Sequence, residues 1–144
     1  RARALTRMVF VDSSVWIEAL RREGRIEVKL AMEALLEADA VVICSPVRLE
    51  VLGAASSHER RRINTYLSEV MHRSCHPSDW EQALALSWRL RDRGVIVAWM
   101  DVLIASMALH DGEPIYSIDN HFELIARETG LNLYQPGYGG AYRR

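Results

Sequence analysis

Cysteine is scarce: the chain has two, Cys44 and Cys75, with no CxxC spacing between them. That excludes a disulfide framework and makes a reducing, cytoplasmic setting the expectation. Long apolar runs are missing as well. None approaches the roughly 18 residues of a membrane span, so no membrane partner is expected. A basic surplus is also lacking. The net charge is −1 and the pI about 6.6, which removes the whole-domain basic signature of many nucleic-acid binders. A nucleic-acid partner must therefore meet a local patch. Lysine is almost absent, Lys29 being the only one. The remaining cations are arginines, whose forks suit phosphate, although a compositional bias accounts for the same preference. Repeats, low-complexity tracts and interdomain linkers are absent too, and 144 residues match about one domain.

What is present begins with Met8-Val9-Phe10-Val11, an unbroken apolar run that enters Asp12-Ser13-Ser14 and then the helical pattern Val15 to Leu20. Continuous apolarity marks a strand covered on both faces, and in such sheets ligands gather beyond the carboxyl ends of the strands. Asp12 stands at that end. Asp is also a favoured N-cap, so a cap for the following helix explains it equally well. Residues 1–7 read as a leader or an added remnant with Met8 as the natural start, residues 8–135 as a single domain, and residues 136–144 as a flexible tail.

Further along, Gly24 ends the first helix, and a second runs from Ile26 until Asp39 breaks it. Ala40 to Cys44 is a second buried strand. Ser45 as cap and Pro46 in the first turn then start a helix that carries Glu50 about one turn in. Ser56 to Arg62 opens another helix with the apolar stripe Ile63, Tyr66, Leu67 and Val70; Arg60, Arg61 and Arg62 serve as a solvated face or touch a phosphate backbone. His72, Cys75 and His76 lie close together but lack the fourth ligand and spacing of a zinc site. Pro77 starts a long helix whose Trp80, Leu84 and Trp88 form a stripe for the core or a subunit contact, and Gly94 ends it. An apolar run, Val95 to Met100, feeds Asp101. Val102 to Leu109 is a helix apolar all round and hence buried. After a turn over 110–114, Ile115 to Ile118 is a strand ending in Asp119. A short helix from Asn120 to Arg127 and a candidate strand at Leu131 to Tyr134 complete the reading.

Strands alternating with helices predict an α/β protein, a three-layer α/β/α sandwich on a mainly parallel sheet, in which right-handed crossovers bring the strand-to-helix junctions to one edge. Asp12, Glu50, Asp101 and Asp119 fall at such junctions. Capping explains each aspartate singly, but not Glu50, which lies inside a helix. Four acids on one rim repel one another unless a cation neutralises them. A hard divalent ion, Mg²⁺ or Mn²⁺, meets that need and is the arrangement that activates water against a phosphodiester.

Four segments also resemble a known family: Val11-Asp12-Ser13-Ser14-Val15-Trp16-Ile17, Ser45-Pro46-Val47-Arg48-Leu49-Glu50-Val51-Leu52, Met100-Asp101-Val102-Leu103-Ile104-Ala105 and Ser117-Ile118-Asp119-Asn120-His121-Phe122. In order and spacing they look like the PIN domain, specifically the VapC-type toxins, from Met8 to Tyr134. The resemblance implies a Mg²⁺- or Mn²⁺-dependent endoribonuclease acting on RNA, such as tRNA or another structured RNA. It also implies a homodimer and a small antitoxin partner that inhibits it. Asp12, Glu50, Asp101 and Asp119 match the family's acidic quartet as catalytic and metal-binding residues, and Ser14 a hydroxyl position beside the first acid. Trp99 and Met100 depart from it, where the family more often has small or polar residues. Three readings compete: an idle PIN binding module, a PIN nuclease that is not a toxin, and a phospho-acceptor receiver domain. The receiver needs a lysine beside its last strands, and Lys29 is far upstream.

Overall fold

The computed structural model describes residues 7–144, so the leader expected over 1–7 lies outside it except for Arg7. Four strands form one sheet: β1 (Val9–Val11), β2 (Val41–Cys44), β3 (Met71–Arg73) and β4 (Ile115–Tyr116), in the order β3-β2-β1-β4. Every pairing is parallel. In register, Phe10 of β1 lies opposite Val42 on one side and Ile115 on the other. Seven α-helices fill the connections: α1 (Ser13–Leu20), α2 (Ile26–Glu37), α3 (Ser45–Gly53), α4 (Arg60–Leu67), α5 (Pro77–Asp92), α6 (Trp99–Asp111) and α7 (His121–Glu128).

The apolar runs of β1 and β2 are buried along their whole length, as a central parallel strand requires. Phe10, Trp16, Ile43, Ile104 and Phe122 are among the largest fully buried side chains of the core. From β1 the chain winds outward through β2 to β3, then crosses back to place β4 on β1's other side. The order therefore reverses at β1, and the crevice beyond the carboxyl ends of β1 and β4 is the switch point where α/β folds bind ligands.

Local chemistry fixes the joints. Asp39 ends α2 at φ 54°, a left-handed conformation that aspartate tolerates better than most residues. Gly24 follows α1 where any Cβ would fall 1.8 Å from the Glu18 carbonyl oxygen, so only glycine fits. Arg73 on β3 reaches two elements at once. Its guanidinium donates to Asp79 in the first turn of α5 at 2.7 and 3.0 Å, and to Asp111, the last residue of α6, at 2.8 and 3.1 Å.

Several expectations are corrected here. Ser45 is not the cap of α3: Cys44 holds that position without a side-chain bond, and the Ser45 hydroxyl lies 3.4 Å from His72 Nε2. β3 escaped the sequence reading because it is a three-residue edge strand with two exposed positions, carrying neither a run nor an alternation. Val95 to Ala98 form no strand, so Asp101 enters from the first turn of α6 rather than from a strand end. Leu131 to Tyr134 contribute a single bridge, Ile115 to Leu133. Val70 lies beyond α4, and Tyr66 is exposed.

The tail expected to be flexible carries specific contacts. Tyr138–Gly140 form a 3₁₀ turn, the Tyr142 hydroxyl donates to the Arg7 carbonyl at 2.6 Å, and the Arg143 amide donates to the Tyr134 hydroxyl at 3.1 Å. Its glycines permit closeness rather than looseness. A Cβ on Gly140 would sit 2.9 Å from the Ala31 amide nitrogen, so α2 and the tail touch backbone to backbone.

Candidate metal centre

Asp12 caps α1 at the end of β1 and is 3% exposed. Its Oδ2 accepts from the Ser14 amide at 3.3 Å, the Ser14 hydroxyl at 2.7 Å and the Ser117 hydroxyl at 3.1 Å. The cap reading and the site reading thus coexist at this residue. Ser117 lies just past β4 and accepts from the Asp119 amide at 2.9 Å, while Ser14 accepts from the Ile118 amide at 3.3 Å. These two hydroxyls, 3.3 Å apart, lash the β1 rim to the β4 rim across the switch point.

Asp101 sits in the first turn of α6, whose N-cap is Ala98 with no side-chain bond, so capping does not account for it. It is buried, and its Oδ2 faces His121 Nδ1 at 2.9 Å. The same nitrogen stands 3.4 Å from Asp119 Oδ1, which also accepts the His121 amide at 2.9 Å. Asp101, Asp119 and His121 each place a ligand atom within 4.8 Å of the others. Glu50, on α3, lies outside that radius. Its Oε1 is buried and has no hydrogen-bond partner.

The electrostatics tie the acids together. Burial pushes the Asp101 carboxyl above its usual range; its bond to His121 opposes that, and the charges of Asp12 and Asp119 add to it. Burial likewise raises Glu50, with the nearby Ser13 hydroxyl opposing it and the charges of Asp12 and Asp101 adding repulsion. The bond to Asp101 raises the His121 imidazole, so it favours the protonated form more than free histidine does. A buried carboxyl at Asp101 and a half-buried one at Glu50, both resisting ionisation beside further acids, form a site in which a cation is worth more than in water.

The donor set suits a hard divalent cation: carboxylate oxygens, one imidazole, and a Glu50 oxygen whose burial without a donor is costly. The residues fit such an ion. Of the four acids named from sequence, Asp101 and Asp119 meet at ligand distance. Asp12 and Glu50 join them through mutual repulsion rather than through that 4.8 Å cluster. Sequence reasoning passed over two residues. His121 falls inside the last motif, where local pattern makes it part of a helix start, although Asp119-Asn120-His121 sets an acid and an imidazole two apart at a strand exit. Ser117 carried no distinguishing signal at all. His72, Cys75 and His76 do not enter the cluster; among the described residues that cluster is Asp101, Asp119 and His121. Cys44 is a buried thiol pushed up to about 12 by its burial.

A parallel sheet with an acid-lined switch point defines a class of α/β protein that gathers its acids in the crevice beyond its strand ends. The PIN domain matches residues 9–128, and the chain belongs to that family. Ribonuclease VapC11 of Mycobacterium tuberculosis is 28% identical over 128 residues, covering 86% of this chain and 96% of the relative. Ribonuclease VapC21 of the same species is 30% identical over 106 residues, covering 71% of this chain and 77% of the relative. The fold is also that of a crystal structure of VapBC2 from Rickettsia felis bound to a DNA fragment from their promoter, with TM-score 0.72, 17% identity, and coverage of 88% of this chain and 97% of that one.

Proposed function

We propose that this protein is a Mg²⁺- or Mn²⁺-dependent endoribonuclease acting as the toxin of a type II toxin–antitoxin pair. The observation that carries the reading is the gathering of acids at the switch point of a PIN fold, with Asp12 and Asp101 buried and Asp101 and Asp119 in one cluster with His121. Curated relatives named ribonucleases support the activity. Asp12, Glu50, Asp101 and Asp119 are the proposed metal-binding and catalytic acids. A divalent ion held there supplies charge neutralisation for an attacking water and a phosphodiester. The chain's own contribution is placement. Ser14 and Ser117 hold Asp12 at the rim, the His121 amide orients Asp119, and the walls of α3 and α6 keep Glu50 and Asp101 dry enough to attract the ion.

RNA cleavage is expected to stop in EDTA and to return with Mn²⁺ or Mg²⁺. Undiminished cleavage in EDTA, by protein freed of contaminating nuclease, would rule out the metal reading. An antitoxin is the expected inhibitor, docking at the acidic mouth with an arginine; binding that survives neutralisation of the acids would contradict this.

The same reading includes a homodimer, supported by the groove between α5 and α6, about 500 Å³ in volume and lined by Trp80, Leu84, Trp88, Trp99, Met100 and Leu103. Trp80, Trp88 and Trp99 are each more than half exposed, far more than an unpartnered surface normally leaves together. The double substitution Trp80→Ser, Trp88→Ser should shift a dimer mass to a monomer mass in light scattering at micromolar concentration, since such aromatic anchors carry most of an interface's energy. A wild-type chain that is monomeric there would refute it. No helix among the described residues is long and apolar enough to cross a membrane.

A further inference from the structure

We infer that His121 is itself a ligand of the metal ion, giving the centre one imidazole nitrogen among its oxygens and a preference for Mn²⁺ over Mg²⁺. The inference rests on the metal reading above and adds a residue to it. Nδ1 of His121 stands 2.9 Å from Asp101 Oδ2 and 3.4 Å from Asp119 Oδ1, so one nitrogen addresses two carboxylates from different elements. Donors in octahedral coordination, with bonds of about 2.1 Å, sit about 3 Å from their neighbours. Both nitrogen–oxygen spacings therefore come near that of adjacent corners around one ion, and the ligand atoms of the three residues all lie within 4.8 Å of one another.

The ring is also held for the task. The His121 amide donates to Asp119 Oδ1 at 2.9 Å, at the start of α7, which fixes the backbone of the histidine to one of the acids it would share the ion with. The imidazole is 44% exposed, so an arriving ion can reach the ring and replace the proton that Nδ1 shares with Asp101, which leaves to solvent. Its chemistry sets the preference. Magnesium demands oxygen and gives up its waters reluctantly, whereas Mn²⁺, though the weakest binder of the first transition row, accepts an imidazole nitrogen more readily than Mg²⁺ does. An all-carboxylate centre lacks that bias.

The test uses the full chain stripped of metal and titrated calorimetrically with Mn²⁺ and with Mg²⁺, in wild type, His121→Ala, His121→Asn and Asp101→Asn. Pulsed electron paramagnetic resonance of the Mn²⁺ form reads directly coordinated nitrogen without any assay of cleavage. The wild type should show nitrogen coupling, and His121→Ala should lose it. Losing even an outer-shell partner of a metal site weakens binding roughly 10- to 100-fold, and a direct ligand should cost Mn²⁺ at least as much while Mg²⁺ falls less. His121→Asn keeps a donor for Asp101 but not the imidazole, so it should behave as the alanine variant does. Mn²⁺ affinity retained in His121→Asn would make His121 a positioning residue and overturn the inference. So would absent nitrogen coupling in a wild type that still loses both ions on Asp101→Asn. A wild type that binds neither ion would overturn this and the metal reading together.

Discussion

Asp101→Asn should reduce RNA cleavage by orders of magnitude while leaving the fold as stable as before or slightly more so. The substitution keeps shape and removes one charge, and it falls where the structure separates two roles cleanly. Ala98 is the N-cap of α6 and Asp101 caps nothing, so no helix-end bond is at stake. What the carboxylate has is burial, repulsion from Asp12 and Asp119, and one bond with His121. Burial already disfavours its charged form, so a neutral amide relieves the apo protein rather than straining it. The same change removes an anionic ligand. Stabilisation by added Mn²⁺ should shrink in proportion, because a ligand raises the melting temperature only through its affinity for the native state. Asp119→Asn should follow the same pattern. Asp12→Asn is expected to lose activity with a small stability cost in addition, since Oδ2 of Asp12 also caps α1 and receives two hydroxyls. Cleavage by Asp101→Asn at the wild-type rate, with an unchanged Mn²⁺-induced melting shift, would mean that the acid at 101 has no part in the chemistry.

Much of this was legible because the acids interrupt apolar runs. Val9-Phe10-Val11 before Asp12 and Ile115-Tyr116 before Asp119 are strands by the same logic that makes their next polar residues rim residues. Glu50 stood out because no local role accounts for a carboxylate there, and the structure leaves one of its oxygens buried without a partner. Where local pattern was silent, the reading failed. β3 is too short and too exposed to show a period, and its value lies in Arg73, whose partners are 6 and 38 residues away. Asp111 looked like a turn residue off the rim, and nothing near it in sequence says that a guanidinium from the sheet edge reaches it. His121 and Ser117 likewise act through residues from other elements, 20 and 105 positions distant. The glycines of the tail signalled looseness by composition, yet close approach to α2 is what requires Gly140. Long-range hydrogen bonding is invisible to propensity, and it decides both the supports of the site and the edge of the sheet.

That sheet edge supplies the largest stability effect expected in the chain. Arg73→Met should destabilise the fold by about 3–5 kcal/mol at neutral pH, the usual result of removing one partner from a buried ion pair. The Arg73 side chain is 13% exposed and that of Asp79 is 1%, so water cannot replace what is lost. Asp79 is also the acid of the box that starts α5, accepting the His76 amide at 2.7 Å, and it cannot swing out to solvent without giving up that helix end. Asp111 loses its partner at the same time, freeing the end of α6 from β3. The dependence on pH separates this cause from a simple packing defect. The fork from Arg73 is the main reason the Asp79 carboxyl is lowered from 3.8 to about 2. A depressed carboxyl contributes stability that is full above its unfolded value and fades as pH falls through the folded one. The pair therefore contributes its whole share above pH 3.8 and loses it progressively toward pH 2. The gap in urea midpoint between wild type and Arg73→Met should accordingly be widest at neutral pH and narrow as acid protonates Asp79. Substituting Asp79→Asn in the Arg73→Met background should recover part of the loss, because the stranded charge has gone. A gap that stays constant down to pH 2, with no recovery in the double variant, would assign the loss to the methylenes of Arg73 instead of to its charge.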